Sequence, residues 1–390
     1  MIKYAYVHDR IIVIWWAEQV LFDLIEQDMP DPEQTLIFTM LSSYDAIQIA
    51  GQRYRLVSAL PRWIVSFFDR FRHHQIPFFS KLFDYRNLMV IWPYLVYRLS
   101  KQIAQYQVDH IVVSSFAVVK NITIQSSIKH RVLYMHSPCM YVYNHYNRNY
   151  NSLPRVLKPL YAWVARHIRR RDSSTERYDY VYANSHYTAS LVKQIYNISA
   201  QVAYPRIASQ FIDMEFPIYP WWYPRLFPGP YMLMIGRLVR FARQCDVVIK
   251  LCNKHSINLI VMGTGPDEYY LKSLAGSSIH FIGHISDIDT KMARIFHAQW
   301  LINLTLESFG IATAECLAMG IPVYGNHEGA TRELVNDQSG ILVDTDNYQT
   351  MQQSLKEFLH RSWDHIYIRD HFLELYKTYS IETILDSKTW

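Results

Sequence analysis

Short runs of aliphatic, β-branched and aromatic residues recur along the chain, each followed by a stretch whose apolar positions return at helical spacing. In the first half these strand-like runs are KYAYVH, TLIFTML, HIVVSSF, RVLYMHS and YVYANS; in the second they are YMLMIG, NLIVMGTG, IHFIGH, WLINLTL, IPVYGN and GILVD. Alternation of the two patterns predicts parallel sheets with crossover helices, an α/β architecture. Between the halves, prolines at 205, 217, 220, 224, 228 and 230 crowd a segment that neither a helix nor a central strand tolerates. The expected organisation is an N-terminal domain over 1–205, a linker over 206–230 and a C-terminal domain over 231–361. Helical patterns over 362–390 are expected to cross back to the first domain.

A length of 390 residues suits two such domains, and two domains imply a cleft. With 50% hydrophobic and 19% charged residues the chain has cores to bury. Its apolar runs stop short of the roughly 18 residues that cross a bilayer. MIKYAYVHDR lacks a signal-peptide pattern, so a cytoplasmic location is expected. Cys139, Cys245, Cys252 and Cys316 form no CxxC pair and read as reduced, buried thiols. The net charge is a modest +5, concentrated in Arg155–Asp172 and Pro61–His74, where basic and aromatic residues share predicted helices. Such helices either lie on an anionic membrane surface or present a solvated face. No recognition motif accompanies the charge, so no nucleic-acid partner is expected.

Parallel sheets bind ligands beyond the carboxyl ends of their strands, and the candidate chemistry falls there. Gly236 and Arg237 follow YMLMI, Gly263 to Pro266 follow NLIVM, Gly283 and His284 follow IHFI, and Glu307 follows WLINLTL. In ESFGIATAECLAMGIPV, Gly310 opens a helix whose N-terminal N–H groups attract phosphate. Glu315, further along that helix, has the chemistry to accept hydrogen bonds from ribose hydroxyls. The plainer alternative is one loop acid and one surface acid. Arg237, with Arg243 at the start of the next helix, suits neutralisation of a diphosphate leaving group, since guanidinium grips phosphate bidentately. Each is also compatible with a surface salt bridge. The turn at 263–266 is compatible with a simple strand-to-helix connection. Two Asp-x-Asp triplets, at 287–289 and 344–346, read as a helix start and a turn rather than metal sites.

From about Tyr231 to Asp344 the chain resembles the nucleotide-binding domain of the family 4 retaining glycosyltransferases, through MIGRLVRFARQCD, VMGTGPD, HFIGHIS and the E-x7-E element of ESFGIATAE. More faintly, YVHD, HIVVSSFAVVKNI, LYMHSPCMYVYN and YVYANSHYTASLV are similar to mannosyltransferases that build O-antigen and related surface polysaccharides. The resemblance implies the GT-B fold, two Rossmann-like domains facing each other across a cleft. It implies that Arg237 and Arg243 grip the donor diphosphate, Glu315 the ribose, and the backbone at Gly283, His284 and Ile285 the base. Gly263 would belong to the same donor site. Glu307, with the backbone at Ser308, Phe309, Gly310 and Ile311, would hold the transferred sugar, and His136 would face that sugar from the other domain.

Two departures stand out. The family has a lysine five residues after the strand-end arginine, where this chain has Ala242; a one-residue insertion makes Arg243 its counterpart. Where the family has a Gly-Gly-Ala-Glu loop after its first strand, this chain reads Trp15-Trp16-Ala17-Glu18. With only 12 glycines against 10 tryptophans, that pair is either a true indole loop that obstructs or lines the site, or glycine encoded by UGA and written as tryptophan.

The resemblance implies retaining transfer of a hexose, with GDP-mannose as first candidate, to a glycan or lipid-linked acceptor. No cofactor or metal is expected, and a peripheral membrane contact is. The alternatives are another GT-B enzyme, such as a sugar-nucleotide epimerase, and an inactive binding or scaffold protein.

Overall fold

The computed structural model describes residues 1–14, 16–72, 85–144, 146–172, 177–214 and 229–386. It divides into two compact units, Met1–Ala203 with Leu385–Trp390, and Tyr204–Ile384. Both are α/β with a mainly parallel sheet, as the alternating pattern predicts.

In the first unit the strands are β1 (Tyr4–Ile11), β2 (Thr35–Ser42), β3 (Ala46–Ile49), β4 (Gln52–Ser58), β5 (His110–Ser115), β6 (His130–Met135), β7 (Tyr180–Ala183) and β8 (Gln201–Val202). Their order across the sheet is β3-β4-β2-β1-β5-β6-β7-β8. Every residue of β2 is buried, its Thr35, Thr39 and Ser42 included, as in a strand covered on both faces. The hairpin β3–β4 is antiparallel and departs from the expectation of parallel strands alone. Ala50 and Gly51, both with positive φ (48° and 79°), form its two-residue turn, the backbone that a tight hairpin requires.

Helix α1 (Trp16–Asp28) crosses from β1 to β2, and α2 (Arg62–Arg72) follows β4. Of the expected helix over 61–74, positions 73 and 74 lie outside the described residues. The basic stretch 155–172 is a 3-10 turn, Arg155–Leu157, followed by α3 (Lys158–Arg171) rather than one helix, because Pro159 suits only a first helical turn. Helix α4 (His186–Tyr196) is capped by Ser185, whose side chain accepts from the Thr188 N–H.

The second unit holds β9 (Met232–Ile235), β10 (Leu259–Met262), β11 (Ile279–Gly283), β12 (Trp300–Asn303), β13 (Val323–Asn326) and β14 (Gly340–Val343), in the order β11-β10-β9-β12-β13-β14. All of its pairings are parallel. Counted from β9, that order is the doubly wound arrangement, and it reverses direction between β9 and β12. Of the segment read as linker, 215–228 lie outside the described residues. Residues before it dock within this unit: the Arg369 guanidinium donates to the carbonyls of Phe211 at 2.9 Å, Ile212 at 2.7 Å and Met214 at 2.8 Å.

Candidate active site

Chain reversal between β9 and β12 opens a crevice beyond their carboxyl ends, and Gly236-Arg237 and Glu307 emerge there. Met234, Gly236, Arg237, Arg243, Asn303 and Thr305 are among the residues lining one recess. Glycine is obligatory beside it. A Cβ on Gly263 would lie 1.9 Å from the Gly236 carbonyl oxygen, and one on Gly265 would lie 2.2 Å from that of Leu238. The loops after β9 and β10 are thereby pressed together, with the Gly236 N–H donating to Met262 O at 3.0 Å and Leu238 N–H to Thr264 O at 2.9 Å. Gly263 thus shapes the crevice through loop packing.

Arg243 does not start a long helix, contrary to expectation. It ends the short α5 (Arg240–Arg243), because Gln244 turns left-handed (φ 50°) before α6 (Cys245–His255) begins. That break aims the Arg243 side chain back across β9, where its Nη1 forms an ion pair with Glu307 Oε1. The same Nη1 lies 3.4 Å from where a Cβ on Gly236 would stand.

On the other side of the crevice, Gly310 (φ 94°) is the N-cap of α8 (Ile311–Ala318), which follows α7 (Ile288–Phe296) in the chain. First-turn N–H groups of a helix have no partner within it, so 311–313 present donors of positive dipole at the crevice. Phe309 is buried, its ring 5.0 Å from that of Tyr204, and Glu307 O accepts from the Ala330 N–H at 2.9 Å. The backbone of this loop is therefore held at Glu307 and at Phe309.

Glu315 is no surface acid: it is 2% exposed, and Lys291 Nζ on α7 donates to its Oε1 at 2.5 Å. Its Oε2 is buried without a hydrogen-bond partner. Burial pushes this carboxyl above the usual glutamate range, and the Lys291 charge opposes that rise. Gly283 (φ 74°) ends β11 and accepts from the Gly263 N–H at 2.7 Å; His284 is exposed and Ile285 half-buried in the following loop.

In the first unit the corresponding reversal lies between β1 and β5. Register places His8 beside Ser114, and His136 follows β6 directly. Ser114 Oγ stands 3.1 Å from His8 Nδ1 and 2.8 Å from His136 Nε2. Burial lowers the His8 imidazole to about 3 and holds His136 well below its ordinary value. The adjacent Asp9 accepts from Ser115 Oγ and from the N–H groups of Phe116, Ala117, Val118 and Val119, anchoring the loop after β5. Burial raises the Asp9 carboxyl while those N–H groups hold it down. Trp15 lies outside the described residues; Trp16 opens α1 and is 38% exposed.

Sequence reasoning passed over His8, Asp9, Ser114 and Lys291. The first two stood in the quoted YVHD, where two consecutive polar residues at a strand's end were the available signal. Both Asp-x-Asp triplets are occupied locally: Asp287 caps α7 through the Thr290 N–H, and Asp344 accepts from the Asp346 N–H. Among the described residues, no group of three or more His, Cys, Asp or Glu is arranged to hold a metal ion.

The family model described as Glycosyl transferases group 1 matches residues 228–369. No curated protein matches the chain. Solved structures do. Anabaena HepE in complex with UDP and glucose superposes with a TM-score of 0.63 at 14% identity, over 99% of this chain and 98% of that one. WaaG, a glycosyltransferase involved in lipopolysaccharide biosynthesis, gives 0.61 at 12% identity over 99% and 95%. Sucrose-phosphate synthase from Thermosynechococcus elongatus gives 0.65 at 14% over 99% and 98%. Likeness at such identities carries the fold, and the family match carries residues 228–369. The chain is a glycosyltransferase of the GT-B fold, with a Glycosyl transferases group 1 domain at residues 228–369.

Proposed function

We propose that the protein transfers a hexose, with retention of configuration and without a metal ion, from a nucleotide diphosphate sugar to a glycan or lipid-linked acceptor in surface polysaccharide synthesis. The observation that carries this reading is the Arg243–Glu307 pair beside Gly236 at the reversal of the sheet. A cation for the leaving diphosphate and an acid for the sugar stand together at one crevice. Arg237 and Arg243 neutralise the diphosphate, the α8 N-terminus with Ser308 to Ile311 receives phosphate and sugar hydroxyls, and Glu315 takes the ribose. The loop at Gly283, His284 and Ile285 takes the base, and His136 meets the sugar.

In the reaction the anomeric C–O bond to the β-phosphate breaks and a C–O bond to the acceptor hydroxyl forms on the same face. The departing phosphate oxygen takes the acceptor's proton, so the products are glycoside and nucleoside diphosphate. Fixed guanidinium charge and donor positioning lower the barrier. WaaG is named as a glycosyltransferase of lipopolysaccharide biosynthesis, which supports a surface-glycan acceptor. Helix α2 exposes Trp63 at 73% and Phe67 at 49%, and α3 exposes Trp163 at 57% among its arginines, which supports a membrane-surface contact near a lipid-linked acceptor. No described helix is long and apolar enough to cross a membrane.

GDP-mannose and UDP-glucose are the donors to compare first, the second because it accompanies HepE in a solved complex. Purified protein is incubated with each, in excess EDTA, with and without lipid-linked acceptor. Nucleoside diphosphate released only with acceptor supports transfer; isomerised donor without acceptor would identify an epimerase; binding without turnover would identify a scaffold.

A further inference from the structure

Ser114 Oγ bridges two buried imidazoles, at 3.1 Å from His8 Nδ1 and 2.8 Å from His136 Nε2. A serine hydroxyl has one proton and two lone pairs; Ser114 is fully buried and its Oγ has no third partner among the described residues, so its proton goes to one ring and it accepts from the other. The two rings are therefore coupled. Either both carry their proton on Nδ1, with His8 donating to Ser114 and Ser114 to His136, or both carry it on Nε2 and the chain runs the other way.

His8 decides the direction. Its Nε2 is buried with no hydrogen-bond partner. With the proton on Nε2 it would be an orphaned buried N–H, the rarer kind of unsatisfied group; with the proton on Nδ1 only a lone pair is left. The backbone makes the bridge rigid. His8 and Ser114 are register partners on adjacent strands, the His136 N–H donates to Ser115 O at 2.9 Å, and Thr188 Oγ1 donates to His136 O at 3.3 Å. The Tyr134 ring packs against that of His136 at 5.1 Å.

We propose that Ser114, oriented by His8, is a positioning residue that fixes His136 as its Nδ1–H tautomer, so that His136 offers the transferred sugar a hydrogen-bond donor and not a base. The proposal rests on the reading of His136 as a sugar-facing residue. A neutral donor suits this reaction: it binds a sugar hydroxyl without adding positive charge beside a ring that is itself becoming positive.

The test is long-range nitrogen–proton correlation NMR on the full chain labelled with 15N-histidine, at neutral pH, alongside kinetics of Ser114→Ala and Ser114→Thr. The wild type should show the proton of both rings on Nδ1. Ser114→Ala should move His136 toward Nε2–H and lower kcat about tenfold at unchanged donor KM, whereas Ser114→Thr, which restores the hydroxyl, should recover both. A His136 proton on Nε2 in the wild type, or an unchanged tautomer in Ser114→Ala, would overturn the assignment even with His136→Ala inactive. Wild-type kcat in His136→Ala would instead overturn the sugar-facing reading, whatever the spectrum shows.

Discussion

Arg243 and Glu307, 64 residues apart in the chain, are ion-paired across the carboxyl ends of β9 and β12. Each is assigned to a different part of the donor, so donor binding has to exchange their mutual contact for contacts with phosphate and sugar. Arg243→Ala is therefore expected to raise donor KM at least about tenfold. Glu307→Gln should lower kcat while leaving the affinity for free nucleoside diphosphate unchanged or tighter, because Arg243 is then released to the phosphates. Titration of both variants with nucleoside diphosphate, beside steady-state kinetics, separates the effects; equal mild changes in both would argue against the assignment.

Lys291→Met should strand the Glu315 carboxylate and cost about 3–5 kcal/mol of stability. Burial already raises the Glu315 carboxyl, so the folded protein holds this proton more tightly than the unfolded chain does, and stability from this group falls as pH rises through the raised value. Without Lys291 that rise is larger. The deficit of Lys291→Met should thus be small below the ordinary glutamate range and grow toward neutral pH, and Lys291→Met with Glu315→Gln should recover most of it. Denaturant unfolding at several pH values checks this. Glu315→Gln alone should raise donor KM more than it lowers kcat.

His8 and His136 give the opposite slope. Their folded values lie below an unfolded histidine's, His8 at about 3, so below about 6.5 the unfolded chain binds more protons. For His8, stability should rise with pH between about 3 and 6.5, by up to about 1.4 kcal/mol per pH unit, and level off above; His136 contributes a slope of the same sign. His8→Phe should make that rise shallower in urea titrations; an unchanged slope would show that His8 is not buried as a neutral ring.

The basic, aromatic faces of α2 and α3 are expected to bring the protein down with anionic vesicles at low salt and to release it as salt rises. Trp63→Ala with Trp163→Ala should weaken this sedimentation while leaving binding of nucleoside diphosphate unchanged. No sedimentation at low salt would point to a soluble acceptor.

Elements whose pattern is carried by their own residues were legible in the chain. The six strand runs from YMLMIG to GILVD are the six strands of the second sheet, Gly310 opens its helix, and all four cysteines are buried thiols. The β3–β4 hairpin escaped because AIQI is a four-residue edge strand and QRYRLVS is about half polar, so neither carries a strong strand signal. Arg243's short helix depends on the left-handed Gln244, a conformation glycine would have announced and glutamine does not. The Lys291–Glu315 and His8–Ser114–His136 contacts join residues on separate elements, so no local spacing encodes them. No described tryptophan has a positive φ, and Trp15 lies outside the described residues.

The central claim is acceptor-dependent, metal-free hexosyl transfer at the β9–β12 crevice. Its most direct measurement follows nucleoside diphosphate release and product anomeric configuration by NMR, with sugar nucleotide and lipid-linked acceptor in excess EDTA, for wild type and Arg243→Ala. The expected result is a product of the donor's own configuration, formed at full rate by the wild type and at least about tenfold more slowly, at limiting donor, by Arg243→Ala. Loss of wild-type turnover in EDTA that Mg²⁺ restores, an inverted product, or an unimpaired Arg243→Ala would contradict it.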